Sequence, residues 1–249
     1  MKNILLSCIT VLILLSCITV LILMSCAEKE EHTKTDTKIN TKETIMTHKH
    51  FNTDLPTIGI LLFEGVIVNE VTAPLDVFSN TNAEGKELFN VITIAKENKT
   101  YATAHGLKIQ PDFIIGEVPE LTVLVVPSSY TPEKQTTDKV LVNFIKEQYS
   151  QTEYIASHCA GAFLLGESGI ADNNEIVTYV TGGEVLQASY PNLKVADDSK
   201  ISVVYDGKII SSNGSLVSYI ASFDLLERMT DESHRSYVEE AILFNRLKE

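Results

Sequence analysis

Tyr154-Ile155-Ala156-Ser157-His158-Cys159-Ala160-Gly161-Ala162-Phe163-Leu164-Leu165-Gly166 is the stretch on which the fold turns. Its first half, with Glu153, reads as a short apolar strand over 153–157, and a helix begins at Ala160–Leu165. Cys159 stands at the corner between them. Small residues directly after it permit the sharp strand-to-helix turn of a nucleophile elbow, which lifts a side chain over the carboxyl end of a sheet. Unpaired helix N–H groups and the positive end of the helix dipole meet there, so position alone predicts a stabilised thiolate. The competing reading is a small buried hydrophobe, the commonest role of a free cysteine.

Outward from the elbow the chain alternates apolar runs with helical periodicity. Strands are predicted at Ile58–Phe63, Phe89–Ala95, Val123–Pro127 and Ile176–Val180, and a hairpin at Ile201–Tyr205 and Lys208–Ser211 around Asp206-Gly207. Helices are predicted at Val71–Ser79 with Pro74 in the first turn, from Pro132 through Tyr149, at Gly183–Ala188, at Val217–Met229 and at Ser236–Leu247. Val140, Leu141, Phe144 and Ile145 are expected on one buried face. Strands and helices in this alternation imply an α/β fold, a doubly wound, mostly parallel sheet in a single domain over 57–249.

The amino-terminal quarter is different. Lys2 is the only charge before an Ile/Leu/Val-rich run, as in a secretory signal over 1–25, and the run ends Leu23-Met24-Ser25-Cys26. That ending resembles a lipobox, with Cys26 as the lipidated residue. An uncleaved membrane span is the alternative, since about 20 apolar residues can cross a bilayer. The nonapeptide ILLSCITVL occurs at 4–12 and again at 13–21, which creates a second lipobox-like site at Cys17. Cleavage there leaves an apolar stretch behind, so Cys26 is preferred. Residues 26–56, rich in Thr, Lys and Glu, read as a solvated tether, with His32, His48 and His50 as tether residues. The expected protein is exported and membrane-anchored, on the periplasmic or surface side of the cell envelope.

Four cysteines are present, and Cys8, Cys17 and Cys26 fall in the signal, so no disulfide framework forms within the domain. No pair of Cys or His has metal-ligand spacing, so no metal or other cofactor is expected. Lys+Arg 20 against Asp+Glu 33 gives a net charge of −13, which repels phosphate backbones and argues against nucleic acid.

The elbow at Ala156–Gly166, the segment Gly65–Phe78, the Val125-Val126-Pro127 strand end and the run Ser212-Asn213-Gly214 resemble, in order, the ThiJ/PfpI superfamily. These are flavodoxin-like relatives of the class I glutamine amidotransferases. The likeness covers about Thr57 to Met229. It implies that Glu70 is the carboxyl partner of Cys159, protonated when it bonds the sulfur, and that the chain forms a homodimer. The subgroups that look nearest are isocyanide hydratases and the ligand-binding domains of AraC-type activators. After Met229 there is no room for an activator's helix-turn-helix module, so a DNA-binding role is not expected.

Several positions depart from that pattern. Ala160 stands where many members carry His, and Val177-Thr178-Tyr179 replaces a His-bearing segment, so no complete Cys-His-acid triad is visible. Ser128-Ser129 replaces a glycine pair whose N–H groups help form an oxyanion pocket. The expected pocket is therefore Ser128, Ser129, Ala160 and Gly161, with Tyr179 as a hydrogen-bond donor. His105 and His158 are the only nearby imidazoles to consider as bases, and His234 reads as a surface residue. For Glu70 the bland alternative is a carboxylate at its own helix start. Three roles follow for a small-molecule partner: substrate of a cysteine-dependent hydrolase, hydratase or lyase; ligand of a binding or redox-sensing module; or none, in a degenerate structural domain.

Overall fold

The computed structural model describes residues 51–248. The signal, Cys17, Cys26, the three tether histidines and most of the tether lie outside the described residues. Among the described residues, no helix is long and apolar enough to cross a membrane.

In chain order the main elements are β1 (Thr57–Leu62), α1 (Val68–Phe78), β2 (Asn90–Ala95), β3 (Phe113–Ile114), β4 (Val123–Val126), α2 (Pro132–Thr136) and α3 (Lys139–Gln151). They continue with β5 (Tyr154–His158), α4 (Gly161–Ser168), α5 (Gly183–Ser189), β6 (Val203–Asp206), β7 (Ile209–Ser212), α6 (Val217–Met229) and α7 (Glu232–Ala241). The strands form one seven-stranded sheet ordered β6-β7-β5-β4-β1-β2-β3, in which only the β6–β7 pair is antiparallel. Every residue of β1, β2 and β4 is buried, as expected of parallel strands covered on both faces. Full burial of side chains such as Ile58, Ile60 and Leu124 contributes about 1.5–3 kcal/mol each.

Helix α1 packs on α6, and α3 packs on α4. The crossover from β1 runs toward β2, while that from β4 runs the opposite way toward β5. Right-handed crossovers then set the two helix pairs on opposite faces and open a crevice between the carboxyl ends of β1 and β4.

Five boundaries differ from the sequence expectation. Helix α1 starts at Val68, so Pro74 lies inside it rather than in its first turn. The buried face of Val71, Ala73, Val77 and Phe78 outweighs the single lost backbone bond. The helix expected from Pro132 is two helices, because Asp138 caps α3 by accepting the Val140 N–H at 3.0 Å. Val140 then faces solvent, 45% exposed, while Leu141, Phe144 and Ile145 are buried. Of the strand expected over 176–180 only Ile176 pairs, in a two-residue strand Glu175–Ile176 beside Lys194–Val195, because Val177 N–H turns to Ser211 Oγ. Helix α7 begins at Glu232, capped by Asp231, and ends at Ala241 before a 3-10 turn at Phe244–Lys248. The tether stops short of 56: Phe51 packs edge-on against Phe113, and Asn52 exchanges hydrogen bonds with Asn90.

Candidate active site

The carboxyl ends of β5, β4 and β7 and the first turn of α1 converge on Cys159. Strand β5 delivers the cysteine, and the turn after it holds Cys159 at φ 53°, a left-handed conformation that a side-chain-bearing residue keeps only under constraint. The constraint is local and visible. Cys159 N–H donates to Ser212 O at 2.8 Å, and Thr178 Oγ1 donates to Cys159 O at 2.9 Å. Gly161 lets α4 start hard against β4, since a Cβ there would lie 2.3 Å from Val126 O.

Glu70 sits in the first turn of α1 and is 1% exposed. It does not cap its own helix. Its Oε2 accepts the Ser128 N–H at 2.6 Å, from the end of β4, and its Oε1 accepts the Ser215 N–H at 3.2 Å, from the end of β7. Gly214 closes the site: a Cβ there would fall 2.3 Å from Cys159 Cβ and 2.5 Å from Glu70 Oε1. Thiol and carboxyl are thus clamped side by side.

Burial pushes the Glu70 carboxyl up from its ordinary value, against the opposing pull of Ser128, the Ser215 N–H and Cys159. Burial also pushes the Cys159 thiol up to about 11, with the Glu70 charge as the second cause. The Ala160 N–H favours the thiolate, but less strongly. The thiolate predicted from the helix start alone is therefore overturned, because desolvation of the partly buried sulfur outweighs the helix end. Two raised groups in contact are one proton-sharing pair, titrating together.

The oxyanion arrangement also needs correcting. Ser128 N–H is committed to Glu70, and Ser129 lies in a bridge with Val66 while its hydroxyl donates to Gln135 Oε1 at 2.6 Å. Of the expected backbone donors the Ala160 N–H stays at the sulfur, where the Ser128 hydroxyl joins it. Tyr179 stacks on Phe163 and lies against Gly182, so it is Thr178, its neighbour, that reaches Cys159. His158 is 1% exposed with Nδ1 at 2.8 Å from Ser212 Oγ, and burial pushes it down to about 3. It faces the Ser212 hydroxyl on β7 and is neutral. His105 is exposed, its Nε2 3.4 Å from Tyr130 Oη. His234 is nearly buried, 9% exposed, rather than a surface residue. Among the described residues no imidazole bonds Cys159 or Glu70, and none of the acidic, His or Cys side chains group as metal ligands. Gly214, Ser215, Ser212 and Thr178 were not anticipated as site residues. The adjacent glycine in Ser212-Asn213-Gly214 was the one available signal.

Residues 56–227 match the profile of the DJ-1/PfpI family. The chain is 27% identical over 157 residues to an isonitrile hydratase of Pseudomonas putida, covering 63% of this chain and 64% of that protein. It is 20% identical over 192 residues to the HTH-type transcriptional regulator GbdR of Pseudomonas aeruginosa, covering 77% of this chain and half of the regulator. The match thus spans less than two thirds of either relative's length. Among solved structures, a ThiJ/PfpI family protein from Pseudomonas syringae superposes with a TM-score of 0.68 at 18% identity, over 80% of this chain and 82% of that one.

Proposed function

The chain belongs to the DJ-1/PfpI family, and on that premise we propose that it is a cysteine-dependent hydratase or hydrolase of a small molecule. Cys159 is the nucleophile and Glu70 its proton partner. The observation that carries the reading is the clamp: a strained cysteine and a buried carboxyl, held against each other by Gly214 and two backbone N–H donors. The two side chains hydrogen-bond each other, and backbone strain of this kind, costing about 1–3 kcal/mol, is kept where a function needs it.

The chemistry follows from that pair. Glu70 accepts the thiol proton as sulfur bonds the electrophilic carbon, and returns it to the atom that takes up the displaced electron pair. Water then adds to that carbon, one of its protons stays with the product, and the other restores the Cys159–Glu70 pair as the C–S bond breaks. The name of the 27%-identical relative supports a carbon of the isonitrile class as the electrophile. The test is formamide production from benzyl isocyanide by the full chain, with Cys159→Ser beside it. Turnover in the first and none in the second is expected; equal rates in both would sink the nucleophile.

A second reading, a ligand-binding or redox-sensing module, is favoured by the Ser128 N–H, which is spent on Glu70 rather than turned toward a reacting oxygen. Saturable ligand binding without turnover would select it. We also propose that the domain is held at the cell envelope by lipid on Cys26, on the strength of Leu23-Met24-Ser25-Cys26. Labelled palmitate should enter the wild-type chain and not Cys26→Ser. The homodimer implied by the family likeness is read by sedimentation.

A further inference from the structure

A cavity of about 310 Å³ opens between the carboxyl ends of β1 and β2 and the start of α2. That size is within the range of small-molecule pockets, and the cavity lies at the carboxyl end of the sheet. Its floor is apolar: Phe63, Tyr101 and Leu141 are each at most 5% exposed. Its rim mixes charges, with Glu64 and Asp138 beside the lysines.

Three lysines line it, and two are already matched. Lys96 pairs with Asp138 at 2.5 Å and Lys99 with Glu97 at 2.8 Å. Lys134, the third, has no carboxylate within ion-pair distance among the described residues. The remaining carboxylate of the lining, Glu64, accepts the Ala102 N–H at 3.3 Å. Gln135 is 4% exposed, and its Oε1 is occupied by Ser129 Oγ, but its Nε2 has only a 3.4 Å contact with Glu64 O. A buried amide with donor capacity to spare is costly unless something accepts from it. One free ammonium and one under-used N–H donor, above an apolar floor, describe the complement of a planar monoanion.

We propose that this cavity is a second binding site, separate from the Cys159 pocket, and that it takes a small aryl or alkyl carboxylate. The carboxylate lies between the Lys134 ammonium and Gln135 Nε2, and the apolar body rests on Phe63, Tyr101 and Leu141. Its occupancy does not depend on catalysis at Cys159.

The probe is 4-fluorobenzoate titrated into the full chain and followed by fluorine NMR. Saturable binding is expected, weakened about tenfold or more in Lys134→Ala and unchanged in Cys159→Ser, with neutral 4-fluorobenzamide at least about tenfold weaker than the acid. Lys134 is exposed on a short surface helix, so its loss leaves the fold in place. Absence of saturable binding, affinity indifferent to Lys134→Ala, equal binding of the amide, or loss of binding in Cys159→Ser would each overturn the assignment. The last would move the anion into the thiol pocket.

Discussion

Gly214 and Gly85 form a matched pair of perturbations. Both hold left-handed backbone, at φ 81° and 77°. A Cβ added at Gly85 meets nothing within 4 Å, whereas at Gly214 it would lie 2.3 Å from Cys159 Cβ, 2.5 Å from Glu70 Oε1 and 2.9 Å from Cys159 N. The left-handed penalty of an alanine, about 1–2 kcal/mol, is common to the two sites. Crowding adds only at Gly214, where the neighbours are a backbone nitrogen, a Cβ and a carboxyl pinned by two N–H groups, none able to swing aside. Overpacking of that kind costs about 1–3 kcal/mol. Gly214→Ala should therefore lose about 2–5 kcal/mol, against about 1–2 for Gly85→Ala. Urea midpoints at unchanged slope read the stability difference. Alkylation of Cys159 at one pH, followed by intact mass, reads the site. The rate should change in Gly214→Ala and hold in Gly85→Ala. Variants equal in stability to within about 0.5 kcal/mol, with equal alkylation rates, would refute the clamp.

Three further outcomes are expected. Because burial pushes the Cys159 thiol up to about 11, its alkylation rate should still be climbing at pH 10, with roughly one thiolate in a thousand at pH 8; a plateau below pH 9 would contradict it. His158 is pushed down to about 3, while its unfolded value is about 6.5, so the unfolded chain takes the proton first as pH falls. Stability held by the neutral imidazole is intact above about pH 6.5 and lost toward pH 3, about 3 kcal/mol of it by pH 4. His158→Asn should flatten that part of the stability–pH curve, and an unchanged slope would count against a buried neutral ring. Asp138→Ala removes the α3 cap and should cost about 1 kcal/mol by denaturant titration, with little added by the half-exposed Lys96 pair; no measurable loss would mean that the cap is idle.

The α/β class and the elbow were legible without coordinates, for a physical reason. Continuous apolar runs such as 58–63 and 123–126 are what doubly covered parallel strands need, and Cys159-Ala160-Gly161 permits only a tight turn. These are local properties, carried by neighbours in the chain. The Asp206-Gly207 hairpin and helix α6 were likewise readable from turn chemistry and period. Boundaries that failed did so where a distant partner decided them: Ser211 Oγ takes Val177 out of a strand, and Asn90 draws Asn52 out of the tether.

The site divides along the same line. Sequence alone named Cys159 and, through resemblance, Glu70. Only the tertiary structure decided how the two stand. Glu70 is held by N–H groups 58 and 145 residues away, and Gly214 is pressed against both from Ser212-Asn213-Gly214, a run that the family likeness marks without saying what it touches. The thiol's protonation was inverted for the same reason. A helix end favours the thiolate and is visible in one dimension, whereas desolvation is a sum over everything packed around the sulfur and exists only once the chain has folded.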